Sequence, residues 1–419
     1  MSDASTTTLS DPLPRPLLLR LPGLVMRFFA SFGLGVVVLT FLLLLTWLGT
    51  LAQTKENLFD VVRKYFESFW LLEQVGPVKV PLPGGALLMG LLFLNILCGG
   101  IIRVRKNWRT VGVVIAHLSI LVLLAAGLVS MLYKREGYLR LFEGEKGNVF
   151  TSYQSRVIEI AEMGKDGAIL QIPEADFSDL TGEKSRTFHS ASLPFELTLS
   201  GYLKNAEGLS AKMIPPTAGE EVVDNYYVAE RKGAKEAEGN LPACLVTVTG
   251  TQGGEPKRFI AWEASDAPLT YRTADDRVFT LRFTREKWEL PFDVTLKTFT
   301  HEYHPGTMNP KVYQSEITQR LGGIDQDVKI EMNKPLRSQG YTLFQSSWGP
   351  TNWTPQMGRE KLFSVFAVVK NPSDSWPIWA TIMAAVGIGL HFVMKLVKAV
   401  SRSSAAPSAP TAALPPPLP

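Results

Sequence analysis

The chain has 419 residues and a net charge of +4, with two cysteines and five histidines. The basic excess lies in short flanks of apolar stretches, so it is no signature of nucleic-acid binding. The absence of Cys-x-x-Cys and Cys-x-x-Cys-His excludes a thioredoxin-type oxidoreductase and a c-type cytochrome. There is no Ser-His-Asp order, HExxH or phosphate loop, so hydrolysis has no support.

Residues 1–27 read as a disordered cytoplasmic N-terminus, Ser-, Thr- and Pro-rich in its early part. Four apolar stretches then approach the ~20 residues needed to cross a bilayer. They run from Phe28 to about Leu51, Ala86 to Ile102, Val111 to Leu132 and Trp376 to Val397. The first resembles an uncleaved signal anchor, being longer than a signal-peptide core. Arg15, Arg20 and Arg27 precede it. Arg103, Arg105, Lys106 and Arg109 join the second and third spans, and Lys395, Lys398 and Arg402 follow the fourth. With alternating spans these groups share one side, which the positive-inside rule makes cytoplasmic. The predicted location is the plasma or inner membrane, with both termini cytoplasmic.

Residues 133–375 are then extracytoplasmic and long enough for one or two hydrophobic cores. Period-two alternation predicts antiparallel strands. It appears at Phe195, Leu197 and Leu199; at Phe292, Val294 and Leu296; at Val328, Ile330 and Met332; and at Phe363, Val365, Ala367 and Val369. A repeat is visible. Leu193-Pro194-Phe195 and Leu290-Pro291-Phe292 each open a strand. Each is followed by a second strand, a Gly-Gly pair (253–254, 322–323), a third strand, Pro-Leu and a Tyr. The expected fold class is an α-helical membrane protein with an exported all-β domain, an antiparallel sandwich of two related units. Residues 206–235 are polar and read as a loop. Cys244 shares a strand face with Val246 and Val248, and Cys98 is a small packing residue of the second span. His301 and His304 read as a surface loop beside Pro305 and Gly306, and His189 belongs to no motif. Residues 398–419 read as a disordered cytoplasmic tail, low in complexity from Ser403.

His117 and His391 stand inside apolar spans, where ionisable groups usually face a partner, cofactor or pathway. His117 lies about 12 Å inside the border marked by Arg109, and His391 about 6–11 Å inside that marked by Lys395 and Lys398, at 1.5 Å per residue. Ala116, Ser119, Gly387 and Gly389 leave room for close helix approach or for a bulky ligand. Imidazole suits heme iron. The residues alone leave two readings: axial ligation of a b-type heme, or hydrogen bonds to protein groups.

Residues 28–397 resemble the ResB-type (CcsB) cytochrome c biogenesis proteins of system II. The resemblance is carried by Leu290-Pro291-Phe292, Tyr303-His304-Pro305, Tyr313-Gln314-Ser315, Asn333-Lys334-Pro335-Leu336, Gly340-Tyr341 and Gln345-Ser346-Ser347-Trp348. Gly49-Thr50, Gln53, Arg109 and His117-Leu118-Ser119 add to it. It implies three spans, an exported β domain and a last span. His117 corresponds to the family's membrane histidine ligand and His391 to the histidine of its last span. It also implies a ResC/CcsA-type membrane partner, apocytochrome c, an indirectly coupled thioredoxin-like thiol reductase, and transported heme b. The chain would be a non-catalytic or co-catalytic subunit of a heme-attaching complex. The alternatives are a scaffold subunit that never touches heme, or a b-type electron carrier. Two departures stand out. The family's paired tryptophans before the second span give way to Pro81, Pro83, Gly84 and Gly85, and no tryptophan-rich Trp-Asp motif occurs.

Overall fold

The computed structural model describes residues 17–404 except 166, 168, 218, 236–238, 251–254, 308–309 and 351. The stretches 1–16 and 405–419 and the expected Gly253-Gly254 turn lie outside the described residues. The chain divides into a helical unit, essentially 63–132 with the residues before 50 and after 372, and a β unit made of residues 50–62 and 133–372.

In the helical unit the first apolar run is interrupted. α1 (Leu17–Phe29) ends, Ala30 and Ser31 turn, and α2 (Phe32–Ala52) begins. The expected start at Phe28 therefore moves to Phe32, and residues 17–27, expected to be unstructured, belong to a helix. The break is held by Asn95, whose amide donates to the carbonyls of Phe29 (2.6 Å) and Ser31 (2.9 Å). The Phe29 carbonyl is one that the end of α1 leaves open, and the Ser31 carbonyl also accepts from Gly35 N at the start of α2. After the short α3 (Leu58–Val61), β1 (Trp70–Val75) and β2 (Val78–Pro83) form an antiparallel hairpin. α4 (Gly85–Asn95) comes next and continues through a π-helical segment, Ile96–Ile102. α5 (Val111–Tyr133) begins after a capping box in which Asn107 accepts from the backbone of Thr110. α6 runs from Trp376 to Ser404, past the expected end at Val397. Phe32–Ala52, Gly85–Ile102, Trp108–Tyr133 and Trp376–Ser401 are long and apolar enough to cross a membrane.

The β unit contains β3 (Arg135–Phe142), β4 (Lys146–Glu162), β5 (Leu170–Pro173), β6 (Ser185–Phe188), β7 (Phe195–Leu203), β8 (Ala206–Ser210) and β9 (Tyr226–Glu230). These are followed by β10 (Ala243–Gly250), β11 (Lys257–Trp262), β12 (Leu269–Arg272), β13 (Val278–Tyr303), β14 (Pro310–Leu321), β15 (Ile324–Glu331), β16 (Leu336–Ser338), β17 (Tyr341–Gly349) and β18 (Phe363–Lys370). One sheet has the order β11-β10-β7-β6. The larger runs β15-β14-β13-β4-β3-β18-β17-β16, with β12 on β13 and β5 on β4. The pairings of both sheets are antiparallel. Two cores result. One packs Phe195, Leu197, Leu199, Cys244 and Val246 against Ile158, Ile160, Phe279 and Leu281. The other packs Phe292, Val294, Leu296, Ile317 and Ile330 against Leu139, Leu141, Leu343, Phe366 and Val368.

β4 and β13 enter both cores. β13 changes register after Arg285 and again after Glu289, next to Pro291, as expected of a proline that has no ladder donor. The expected repeat is visible as strand order. β13-β14-β15 is a three-strand meander, β7-β10-β11 pairs in the same order with the β8–β9 hairpin inserted after its first strand, and each set precedes a short strand, β12 or β16, paired with the next long one. The turn Gly322-Gly323 has φ of +58° and +84°, which β-carbon-bearing residues resist.

Further expectations need correcting. Residues 206–235 are not simply a loop. β8 and β9 pair there, with Ala206 and Tyr227 buried. In β18 the buried face is Ser364, Phe366 and Val368, not Phe363, Val365, Ala367 and Val369. Both faces of that strand are rich in apolar residues, so alternation alone does not choose between them. Met332 lies past the end of β15 and is exposed.

Candidate functional site

His117 projects from α5 toward the π-helical segment of α4. A π-turn adds a residue to the helix and rotates the turns after it, a device common at functional sites. Here it presents Gly100 to the imidazole. A β-carbon built on Gly100 would lie 2.6 Å from His117 Cδ2 and 2.8 Å from its Cγ. The ring is therefore cradled by bare backbone. Its Nδ1 is 2.8 Å from the carbonyl oxygen of Val113. A carbonyl only accepts, so in the neutral ring Nδ1 carries the proton and Nε2 keeps its lone pair. Fixing one ring nitrogen so that the other can ligate is how metal-binding histidines are oriented.

His391 occupies a different place. α5 and α6 meet through Gly112, Ala116 and Gly387. A β-carbon on Gly112 would stand 2.5 Å from the Gly387 carbonyl oxygen and 2.7 Å from the backbone nitrogen of His391. One on Gly387 would be 2.7 Å from the Ala116 nitrogen. Small residues thus bring the backbones together. His391 is level with Gly112, five positions before His117, an offset of about 7.5 Å along the axis. Ala116 faces α6, and His117 is turned on from it by about 100°. No ring contact joins the two histidines among the described residues. His391 has Phe392 as its ring neighbour, at 6.0 Å.

Beside the start of α5, Lys106, Asn107, Thr110, Val111, Val114 and Ile115 line a recess of about 330 Å³. Thr110 and Val114 are seven and three positions before His117, so they share its side of the helix. Arg103, Arg105, Lys106 and Arg109 are exposed around the same turn. Cys98 is buried in the π-helical segment, consistent with packing.

In the β unit the diagnostic motifs are structural. Ser315 donates to Gln345 Oε1 (2.7 Å) and lies 2.9 Å from Ser364 Oγ, and Gln345 Nε2 donates to Ser364 Oγ (2.9 Å). Ser315 and Ser364 are fully buried, and bonding within the trio avoids the cost of unsatisfied polar atoms. Asn333 and Lys334 form the turn between β15 and β16, closed by reciprocal backbone bonds of Glu331 and Lys334. Leu336 is buried behind it.

His301 is not in a loop. It lies in β13 and stacks on Trp348 at 4.1 Å, with Tyr303 and Trp353 edge-on. Burial lowers its pKa, favouring the neutral ring. His304 is in the exposed turn after that strand, as expected. His189 is exposed and pairs with Glu196 at 3.0 Å. Cys244 is fully buried, and burial pushes its thiol up, which removes it from thiolate chemistry. Among the described residues no group of three or more His, Cys, Asp or Glu is poised to hold a metal ion.

Sequence reasoning missed Gly100 and Asn95. The only local signals are a Gly99-Gly100 pair and a polar residue inside an apolar run.

Four helices long and apolar enough to cross a membrane, with a large β-rich domain, define the class of protein. The ResB-like family profile matches residues 272–362, the part of the β unit that contains β13 to β17. The chain is also similar to Protein NrfI of Wolinella succinogenes, 25% identical over 271 residues, which are 62% of this chain and 26% of that protein. The match thus spans about a quarter of that relative's length.

Proposed function

We propose that this chain is a subunit of a system II cytochrome c synthase that holds heme, as cargo, within the membrane through His117. The observation that carries this reading is the Nδ1 bond of His117 to the Val113 carbonyl, which leaves the Nε2 lone pair available while the Cδ2 edge of the ring packs on the bare backbone of Gly100. The recess lined by Thr110 and Val114 offers apolar surface on the same side, with Lys106 at its rim for an anionic edge. In this reading the chain positions heme, and the β unit helps present it with apocytochrome c. A ResC/CcsA-type partner supplies the remaining machinery, with thiols kept reduced by a thioredoxin-like protein. The offset of His391 leaves the second axial ligand to be assigned between His391 and the partner. The basic flanks support a cytoplasmic position for the Arg109 end of α5.

The test is purification of the chain alone and with its partner, scored for bis-histidine Soret absorbance and for cytochrome c maturation in cells. His117→Ala should lose both. His391→Ala should lose the absorbance only if His391 is the second ligand. Intact maturation in His117→Ala would leave the scaffold reading, and a reversible redox couple with no maturation defect on deletion would leave the electron carrier.

A further inference from the structure

The β1–β2 hairpin has an apolar face that no part of the helical unit covers. Phe69, Trp70 and Leu72 are 65%, 66% and 63% exposed. The opposite side is satisfied internally: Leu71 is buried, and Tyr65, also buried, donates to Glu73, which pairs with Lys64. The exposed face is graded along its length. Its cross-strand pairs are Trp70 with Pro83, then Leu72 with Pro81, then Gln74 with Lys79 at the tip. The apolar pairs are nearest α4 and the polar pair is farthest from it.

The hairpin is fixed to the start of α4. Gly84 N donates to the Phe69 carbonyl at 2.7 Å, and Ala86 N to the Ser68 carbonyl at 3.2 Å. A β-carbon on Gly85 would stand 2.7 Å from Phe66 Cα. Trp70 thus stands beside the entrance of a membrane span. That span, Gly85–Ile102, has 18 residues against 21, 26 and 26 in the others. At 1.5 Å per residue it reaches about 27 Å, and less where it is π-helical. The hydrocarbon layer is about 30 Å thick. A short span draws its flanking residues into the boundary. The hairpin's outer backbone groups need water, so it cannot enter the hydrocarbon itself.

We infer that Phe69, Trp70 and Leu72 insert into the boundary between lipid headgroups and acyl chains, an anchor that completes the short second span. This places aromatic side chains at the mouth of the span by strand pairing. Aromatic rings favour this boundary.

The experiment uses the full chain in phosphatidylcholine–phosphatidylglycerol vesicles. The Trp70 signal is taken as wild-type emission minus that of Trp70→Phe. We expect a blue-shifted signal, quenched at least twofold more by lipids brominated near the carbonyl end of the acyl chain than by lipids brominated near its terminal methyl. Leu72→Cys carrying an environment-sensitive dye gives a second reading, since Cys98 and Cys244 are buried. It should report a nonpolar setting in vesicles and a wet one after replacement of lipid by a polar polymer. Water-like emission from both probes in vesicles overturns the inference. So does shielding that appears only when a membrane partner is added.

Discussion

The β unit and the helical unit hold their distinctive residues in opposite ways. In the β unit, Ser315, Gln345 and Ser364 saturate one another inside a core, and the Asn333–Leu336 turn is closed by its own backbone. In the helical unit, His117 makes one bond to a backbone oxygen and rests on a residue without a side chain. The family profile falls wholly within the β unit, where packing constrains many positions at once. The candidate chemistry depends on a few atoms outside that stretch. The family profile thus falls where residues are tied to one another, and His117 lies outside it.

This contrast can be broken by substitution. The largest effect is expected from Phe150→Ala. Its fully buried ring contacts Trp288 and Tyr341, and its loss should cost about 3–5 kcal/mol. Denaturant melting of the β unit would register this as a lower midpoint. Glu263→Gln should come next, at about 3 kcal/mol. Arg156 and Arg285 are directly opposite on β4 and β13, and the Glu263 carboxylate bonds both. Without it two guanidinium groups face each other, and the midpoint of the same melt should fall.

Gly112→Val should leave that melt unchanged. It would force α5 and α6 apart at Gly387, costing about 2 kcal/mol of helix packing, visible as a lower detergent-unfolding midpoint. The smallest effect is electrostatic. Arg277 and then Lys165 hold the Glu162 carboxyl down to about 2 from 4.5. A lowered carboxylate pKa stabilises the fold above the unfolded value and loses that contribution as pH falls through the folded one. Wild type should therefore lose slightly more stability than Glu162→Gln between pH 4.5 and 2, in matched acid titrations of the melt. Equal slopes would show the pair to be idle.

Much of this architecture is legible in the sequence because it rests on local periodicity. Four apolar runs give four helices, and alternation at Phe195–Leu199 and Phe292–Leu296 gives the strands of two cores. Legibility ends where two solutions share one pattern. β18 is apolar on both faces, so its buried side is chosen by its neighbours β17 and β3. The helix break at Ala30–Ser31 carries no proline or glycine, because its cause lies in Asn95. At the candidate site, the depth of His117 can be counted from Arg109. Its orientation cannot, since the π-helical segment that delivers Gly100 is set by packing and not by spacing. The hairpin at Trp70–Pro83 leaves one trace, the Gly76-Pro77 turn between two short apolar stretches.

The Asn95 amide has a consequence for biosynthesis. It closes the carbonyls of Phe29 and Ser31 from 66 and 64 residues further along the chain. Before the second span is present, the Ser31 oxygen still has Gly35 N as a donor, whereas the Phe29 oxygen at the end of α1 has none from the chain that precedes that span. Arrival of the second span supplies one. The entrance of the first span is thus finished by a side chain of the second.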